Sequence, residues 1–240
     1  MDSTLNSLGQ PVGLDVPGWT SRPRPPREAI EGEYCRVELL DVERHARSLY
    51  DAFAEADAGH WTYLPYGPFA SFEEYVGWLQ RSCLGDDPLY FAVIERGSGR
   101  ALGVASYLRI EPAEGCLEVG HICYSPRLQR TTAATEAMYL LMARAFELGY
   151  RRYEWKCDAL NAPSRAAAER LGFSYEGTFR QARVYRGRNR DTAWYSVVDS
   201  EWTVLRDAFG RWLDPGNFDE RGRQRKHLDA ARALGRLSEG

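Results

Sequence analysis

No stretch of 18 or more apolar residues occurs in this 240-residue chain, and the opening Met1-Asp2-Ser3-Thr4 shows no basic segment leading into an apolar one. Neither a membrane span nor a secretory leader is expected, and the expected compartment is the cytoplasm. An excess of either charge is also missing: 31 Lys and Arg stand against 34 Asp and Glu, so the overall balance calls for no nucleic-acid partner. Cys35, Cys83, Cys116, Cys123 and Cys157 never form a C-x-x-C pair, and the four histidines fall in no zinc-like register. Reduced, mostly buried thiols and no metal are expected. No internal repeat is visible.

What is present is an ordinary globular composition, 44% apolar and 27% charged, in a chain long enough to bury a sizeable core. The domain reading is an extended arm over residues 1–34, one folded domain over 35–201 and a helical or flexible tail over 202–240. Pro11, Pro17, Pro23, Pro25 and Pro26 argue for the arm, and Trp19 is its expected anchor onto the domain. Arg221, Arg223, Arg225 and Lys226 make the tail basic, which reads as a solvated, frayed helix.

Between these ends, periodicity predicts strands over 35–39, 89–95, 101–110, 116–124, 152–157, 173–179 and 192–198, and helices over 43–56, 71–84, 132–148 and 163–171. Ser71 followed by Glu74 has the pattern of a capping box, and Gly149 and Gly172 are suitable helix stops. An antiparallel meander that passes into alternating β and α elements implies a mixed α/β sheet with helices on both faces.

Two stretches carry chemistry. In residues 119–137 a strand runs through Ile122, Cys123 and Tyr124 into the polar loop Gln129-Arg130-Thr131-Thr132-Ala133-Ala134 and opens a long helix. Free backbone N–H groups at a helix start, with the positive end of its dipole, suit a pyrophosphate, and Arg127 and Arg130 could add charge. The second stretch, 161–177, has Asn161 and Ser164 at the start of a short helix that Gly172 ends.

The first stretch resembles the acetyl-CoA pyrophosphate loop of GNAT acetyltransferases, [RQ]-x-x-G-x-[GA], continuing into the A-T-E-A of the RimJ/RimL-like branch, with Gln129 and Ala134 matching its ends. It departs at the central glycine, where Thr132 stands. The second resembles the same superfamily's N-x-x-S-x-x-x-x-x-x-L-G-F-x-x-E-G element. The likeness covers roughly residues 35–200 and implies the GNAT fold: a mixed, mostly antiparallel twisted sheet with helices on both faces, splayed at a bulge to admit the pantetheine arm of acetyl-CoA.

The resemblance further implies direct acetyl transfer to a primary amine, either a protein N-terminus or a small molecule. Cofactor contacts would come from Ile122, Cys123, Tyr124, the loop 129–134, Asn161 and Ser164. The backbone of Cys123 or a neighbour would donate to the oxyanion. Glu118 ranks first as general base and His121 second, with both serving one site only if a bulge changes the strand's alternation. The tyrosine that many relatives use as acid is replaced by Ala168, leaving Ser164, Tyr124 or Tyr175 for the role. Trp61, Tyr63, Tyr66 and Trp155 are the candidate acceptor-pocket residues, with core packing as their rival use. A homodimer is left open, as is a second reading in which the chain is a non-catalytic acyl-CoA-binding or regulatory module.

Overall fold

The computed structural model describes residues 3–235. In chain order it comprises β1 (Ser3–Leu5), β2 (Pro11–Gly13), β3 (Ile30–Glu31), β4 (Cys35–Leu39), α1 (Val42–Phe53), α2 (Phe72–Ser82), β5 (Leu89–Glu95), β6 (Ala101–Glu111), β7 (Cys116–Tyr124), α3 (Thr132–Glu147), β8 (Arg152–Asp158), α4 (Ala162–Arg170), β9 (Ser174–Tyr185), β10 (Arg188–Val198), α5 (Asp199–Leu213) and α6 (Ala230–Gly235). Eight strands form one sheet in the order β3-β4-β5-β6-β7-β8-β10-β9. Every pairing in it is antiparallel except β7 with β8.

Alternation in β5 explains why the sheet is covered twice. Leu89, Phe91 and Val93 enter the cluster built with α3, whereas Tyr90 and Ala92 enter the one built with α1 and α2. Helix starts follow from short polar side chains. Asp41 accepts the amide of Arg44 at 3.0 Å, Ser71 that of Glu74 at 3.2 Å, and Asn161 that of Ser164 at 3.1 Å. Glu74 reaches back to the amide of Ala70 at 2.7 Å, one residue before the cap expected from a capping box. Gly172 adopts φ +90 after α4, and a Cβ there would lie 2.5 Å from Leu205, so both the turn and the close approach require glycine.

Three expectations change. The arm carries an exposed two-stranded hairpin, β1 with β2, before its extended portion. Trp19 does fasten the arm: its indole donates to Ala113 O at 2.8 Å, and the Arg22 guanidinium stacks 4.3 Å from the ring. The hairpin β9–β10 is longer than the periodicity suggested, because its outer half is exposed and polar and so shows no apolar alternation. Part of the presumed tail is α5, which buries Leu205, Phe209 and Trp212 and lays Phe209 and Trp202 against Tyr139 of α3. Of the basic cluster, Asp219 pairs with Arg223 at 2.8 Å. The tail reading for residues 236–240 lies outside the described residues.

Candidate active site

The parallel ladder between β7 and β8 runs from Cys116↔Arg152 to Val119↔Trp155 and stops. Beyond it β7 continues to Tyr124 paired only with β6, while β8 continues to Asp158 paired only with β10. The two strands therefore part at Gly120. At the same point four β7 residues, Gly120 to Cys123, lie opposite three of β6, Ser106 to Val104, and His121 takes φ 47. This is a bulge on β7.

Past the bulge the amide of Ser125 donates to Leu102 O at 3.0 Å. By two-residue alternation, Cys123, paired with Val104, also turns its amide toward β6, whereas the amides of Ile122 and Tyr124 face the gap. Of the donors expected for the oxyanion, Cys123 or a neighbour, the Cys123 amide thus faces β6 and those of Ile122 and Tyr124 face the gap. The Cys123 thiol is buried, accepts or donates at 3.3 Å to His60 Nε2, and is pushed well up by burial, so it holds no thiolate.

At the mouth of the gap stands the start of α3. Thr131 caps it, its Oγ1 accepting from Ala134 N at 3.1 Å and donating to Leu128 O at 2.7 Å. The Thr131 amide is itself turned to Leu128 O at 3.3 Å. Of the expected cradle, Thr131 and Ala134 are therefore committed within the loop, and Thr132 and Ala133 are the first-turn amides without an intrahelical acceptor. Gln129 spends its side-chain amide on Tyr124 O at 2.8 Å. Arg127 is held by Glu55, so Arg130 is the nearby cation left exposed. The replacement of glycine by Thr132 is explained, since the left-handed residue of the loop is Arg130, at φ 62, and Thr132 is already helical. The residues present fit a diphosphate at Thr132 and Ala133 with an extended arm along the Ile122 and Tyr124 amides; Ser125 adds a buried Oγ with no protein partner beside the same strand end.

Glu118 and His121 both lie on the α1/α2 side of the sheet, because the bulge restores His121 to the face it would otherwise leave. His121 packs its ring 5.2 Å from Tyr90 and stacks 6.1 Å from Tyr66. Burial, reinforced by Arg183, Arg109 and Arg190, lowers its pKa to about 4, so it is neutral near pH 7. Glu118 is 5% exposed, with Oε2 at 3.1 Å from both Lys156 Nζ and Arg109 Nη1. Burial nevertheless raises its pKa against the pull of Lys156 and Arg109. Glu154 goes the other way: Lys156 sits closer to it, at 2.6 Å, and Arg152 reaches it at 2.7 Å, so it is lowered despite its own burial. Two neighbouring carboxyls are thereby driven apart.

The remaining candidates divide. Asn161 uses its Oδ1 as the cap of α4, and Ser164 Oγ accepts the Trp155 indole N–H at 3.1 Å. Trp155 is buried in the core, edge-on to Phe173 at 5.6 Å. Trp61 is likewise buried, against Phe53 and Phe69, under Gly67 whose added Cβ would fall 2.2 Å from its ring. Tyr63 and Tyr66 stay near the gap: the Tyr63 hydroxyl donates to Leu160 O at 3.0 Å, and the Tyr66 ring lies over His121. Tyr124 points its hydroxyl into the core, at 3.1 Å from the Met138 sulfur, and Tyr175 is bonded to Thr178 on the sheet edge, so neither is placed to serve as acid.

A family profile described as Acetyltransferase (GNAT) domain matches residues 36–174. The chain belongs to the GNAT acetyltransferase family. Among solved structures, the GCN5-related N-acetyltransferase from Brucella melitensis is 48% identical over 90% of this chain and 99% of its own, with a TM-score of 0.88. One from Chromobacterium violaceum, described as a probable acetyltransferase of the GNAT family, is 45% identical over 81% of this chain and 98% of its own, with a TM-score of 0.76. The ribosomal L7/L12 alpha-N-protein acetyltransferase RimL matches at 22% identity over 71% of this chain and 94% of its own, with a TM-score of 0.59, a likeness of fold alone. No curated protein matches the chain.

In this GNAT sheet three site residues escaped the sequence reading. Arg109 bends toward Glu118 at a second irregularity, where it takes φ 48. Lys156, one of two lysines in the chain, is buried between Glu118, Glu154 and the Trp194 ring, 3.6 Å below its ammonium. His60 bridges Cys123 and Gln129, at 3.3 and 3.4 Å, and burial lowers its pKa. The one available clue was the alternation of Arg152, Glu154, Lys156 and Asp158 with Tyr153, Trp155 and Cys157, which gathers the charged side chains on one face of that strand.

Proposed function

We propose that the protein transfers the acetyl group of acetyl-CoA to a primary amine in the gap between β7 and β8. The observation that carries this reading is the parting of those strands at Gly120 directly beside the unpaired amides of Thr132 and Ala133. Acetyl-CoA, when bound, supplies an activated acetyl thioester. The amides of Thr132 and Ala133 hold its diphosphate, those of Ile122 and Tyr124 line its arm, and one of the latter pair donates to the developing oxyanion.

A primary amine is mostly protonated near neutral pH, so a proton must leave it before attack. Glu118, raised by burial and less tightly held than Glu154, takes that proton directly or through water, with neutral His121 on the same face of the sheet. No hydroxyl occupies the position of Ala168, which is fully buried, and Ser164 is the nearest replacement for proton return to the thiolate. A peptide N-terminus is one acceptor class, by likeness to the L7/L12 alpha-N-protein acetyltransferase.

The missing hydroxyl at Ala168 also favours a second reading, a binding module without turnover. An acceptor screen with acetyl-CoA, reading released thiol, separates the two: release with at least one amine supports transfer, and cofactor binding without release across amines and peptides supports the module.

A further inference from the structure

Along β10, Ala193, Tyr195 and Val197 enter the core beneath the sheet, so Arg190, Thr192 and Trp194 share the opposite face. Each of those three has a buried polar atom with no protein partner: Arg190 Nε, Thr192 Oγ1 and Trp194 Nε1. Thr192 is 5% exposed. A buried polar group left unpaired is costly, and three in a row on one strand call for an occupant. The same face leads to the proposed base, since the Trp194 ring lies between Phe179, at 4.5 Å, and the Lys156 ammonium that reaches Glu118.

Charge says what the occupant is. Arg190 stands directly opposite Arg183 in the β9–β10 ladder, an arrangement that is unfavourable for like charges. Among the described residues neither guanidinium has a carboxylate in ion-pair contact; Arg190 has only the Tyr185 ring, 5.9 Å away. Both lie close enough to His121 to act on its charge. Two facing guanidiniums beside a row of open donors form a receptor for an oxyanion. The hairpin tip that carries them is fastened over the site, because Arg186 donates to Tyr66 O at 2.9 Å and Gly67 O at 2.6 Å.

We propose that the acceptor is a primary amine bearing an anionic group, a carboxylate or a phosphate, which Arg183 and Arg190 recognise while Thr192 and Trp194 hydrogen-bond the rest of the molecule. The inference rests on the acetyltransferase reading for its amine and on β10 for its anion.

Matched acceptor pairs test it: β-alanine against its amide, phosphoethanolamine against ethanolamine, and dipeptides with aspartate against asparagine at the second position. Acetylation is followed by released thiol, and binding of the same compounds to CoA-saturated protein by calorimetry. The anionic member of at least one pair should be preferred by about tenfold or more in kcat/KM, as expected for desolvated charge pairs. The Arg183→Gln/Arg190→Gln variant should bring that ratio within about twofold of unity while leaving the Kd for CoA unchanged, which also reports an intact fold. Comparison of the carboxylate and phosphate pairs tells which anion is used. Equal rates for both members of every pair, a preference that survives the double substitution, or no binding of any anionic member overturns the inference. Arginine-dependent binding of the anionic member without thiol release upholds it and removes the acetyltransferase reading; release without charge preference does the opposite.

Discussion

Glu118 shows how little sequence spacing says about a proton site until the neighbours are in place. Its carboxyl is raised by burial, against the opposing pull of Lys156 and Arg109, and Lys156 is shared with Glu154. Glu118→Gln should lower kcat by about 100-fold, the smaller end of a general base's usual contribution, and flatten the acid limb of the pH–rate profile. Lys156→Met removes a cation that opposes the rise, so the acid limb should move to higher pH; a limb that stays in place separates Lys156 from the proton site. His121 bears on stability. Its pKa is about 4 folded against 6.5 as an ordinary histidine, so the native state resists a proton that the unfolded chain accepts. The contribution of neutral His121 is whole above pH 6.5 and is lost as pH falls toward 4. Urea midpoints at pH 7 and pH 5 should therefore differ less for His121→Leu than for the unaltered protein.

At the scale of elements, the glutamate of the A-T-E-A stretch has a structural task. Glu136, buried on α3, accepts the amides of Glu33 at 2.8 Å, Tyr34 at 2.7 Å and Cys35 at 2.7 Å, and so ties α3 to the turn between β3 and β4. Glu136→Gln turns acceptors into a donor facing N–H groups and should cost about 1–3 kcal/mol in urea unfolding, without a change in CoA affinity. That motif was legible as a family mark, whereas its task was not, because the three amides lie about a hundred positions away. The meander β5–β7 was readable nearly to the residue, since each strand is a mostly apolar run bounded by turn formers, Gly97-Ser98-Gly99 and Pro112-Ala113-Glu114-Gly115. The far ends of β9 and β10 were not, because Gln181 to Tyr185 and Arg188 to Asp191 pair with each other and bury little. In the aromatic loop both uses foreseen for its rings, pocket lining and core packing, stay open to a sequence pattern; in the fold Trp61 completes the α1/α2 core and, of the loop's rings, Tyr66 reaches His121. Arg109, from a strand irregularity, and His60, from the turn after α1, left no local pattern to find.

At the scale of the molecule, the arm and the gap are the features that local propensity cannot explain. The arm is fixed by Trp19 at the β6–β7 turn and by the Tyr150 hydroxyl, which donates to Pro23 O at 3.0 Å. Trp19→Ala should cost about 1–2 kcal/mol, a lowering of Tm by about 2–8 °C for a chain of this size, with no effect on acceptor preference. The gap is a place where the sheet forgoes ladder hydrogen bonds, and a protein leaves such groups unpaired in its middle when something else pairs with them. A crystal structure of the complex with coenzyme A tests this most directly. The account predicts the diphosphate on the main-chain nitrogens of Thr132 and Ala133 with the pantetheine between β7 and β8 beyond Gly120; a diphosphate bound elsewhere, with β7 and β8 still parted and nothing between them, would contradict it.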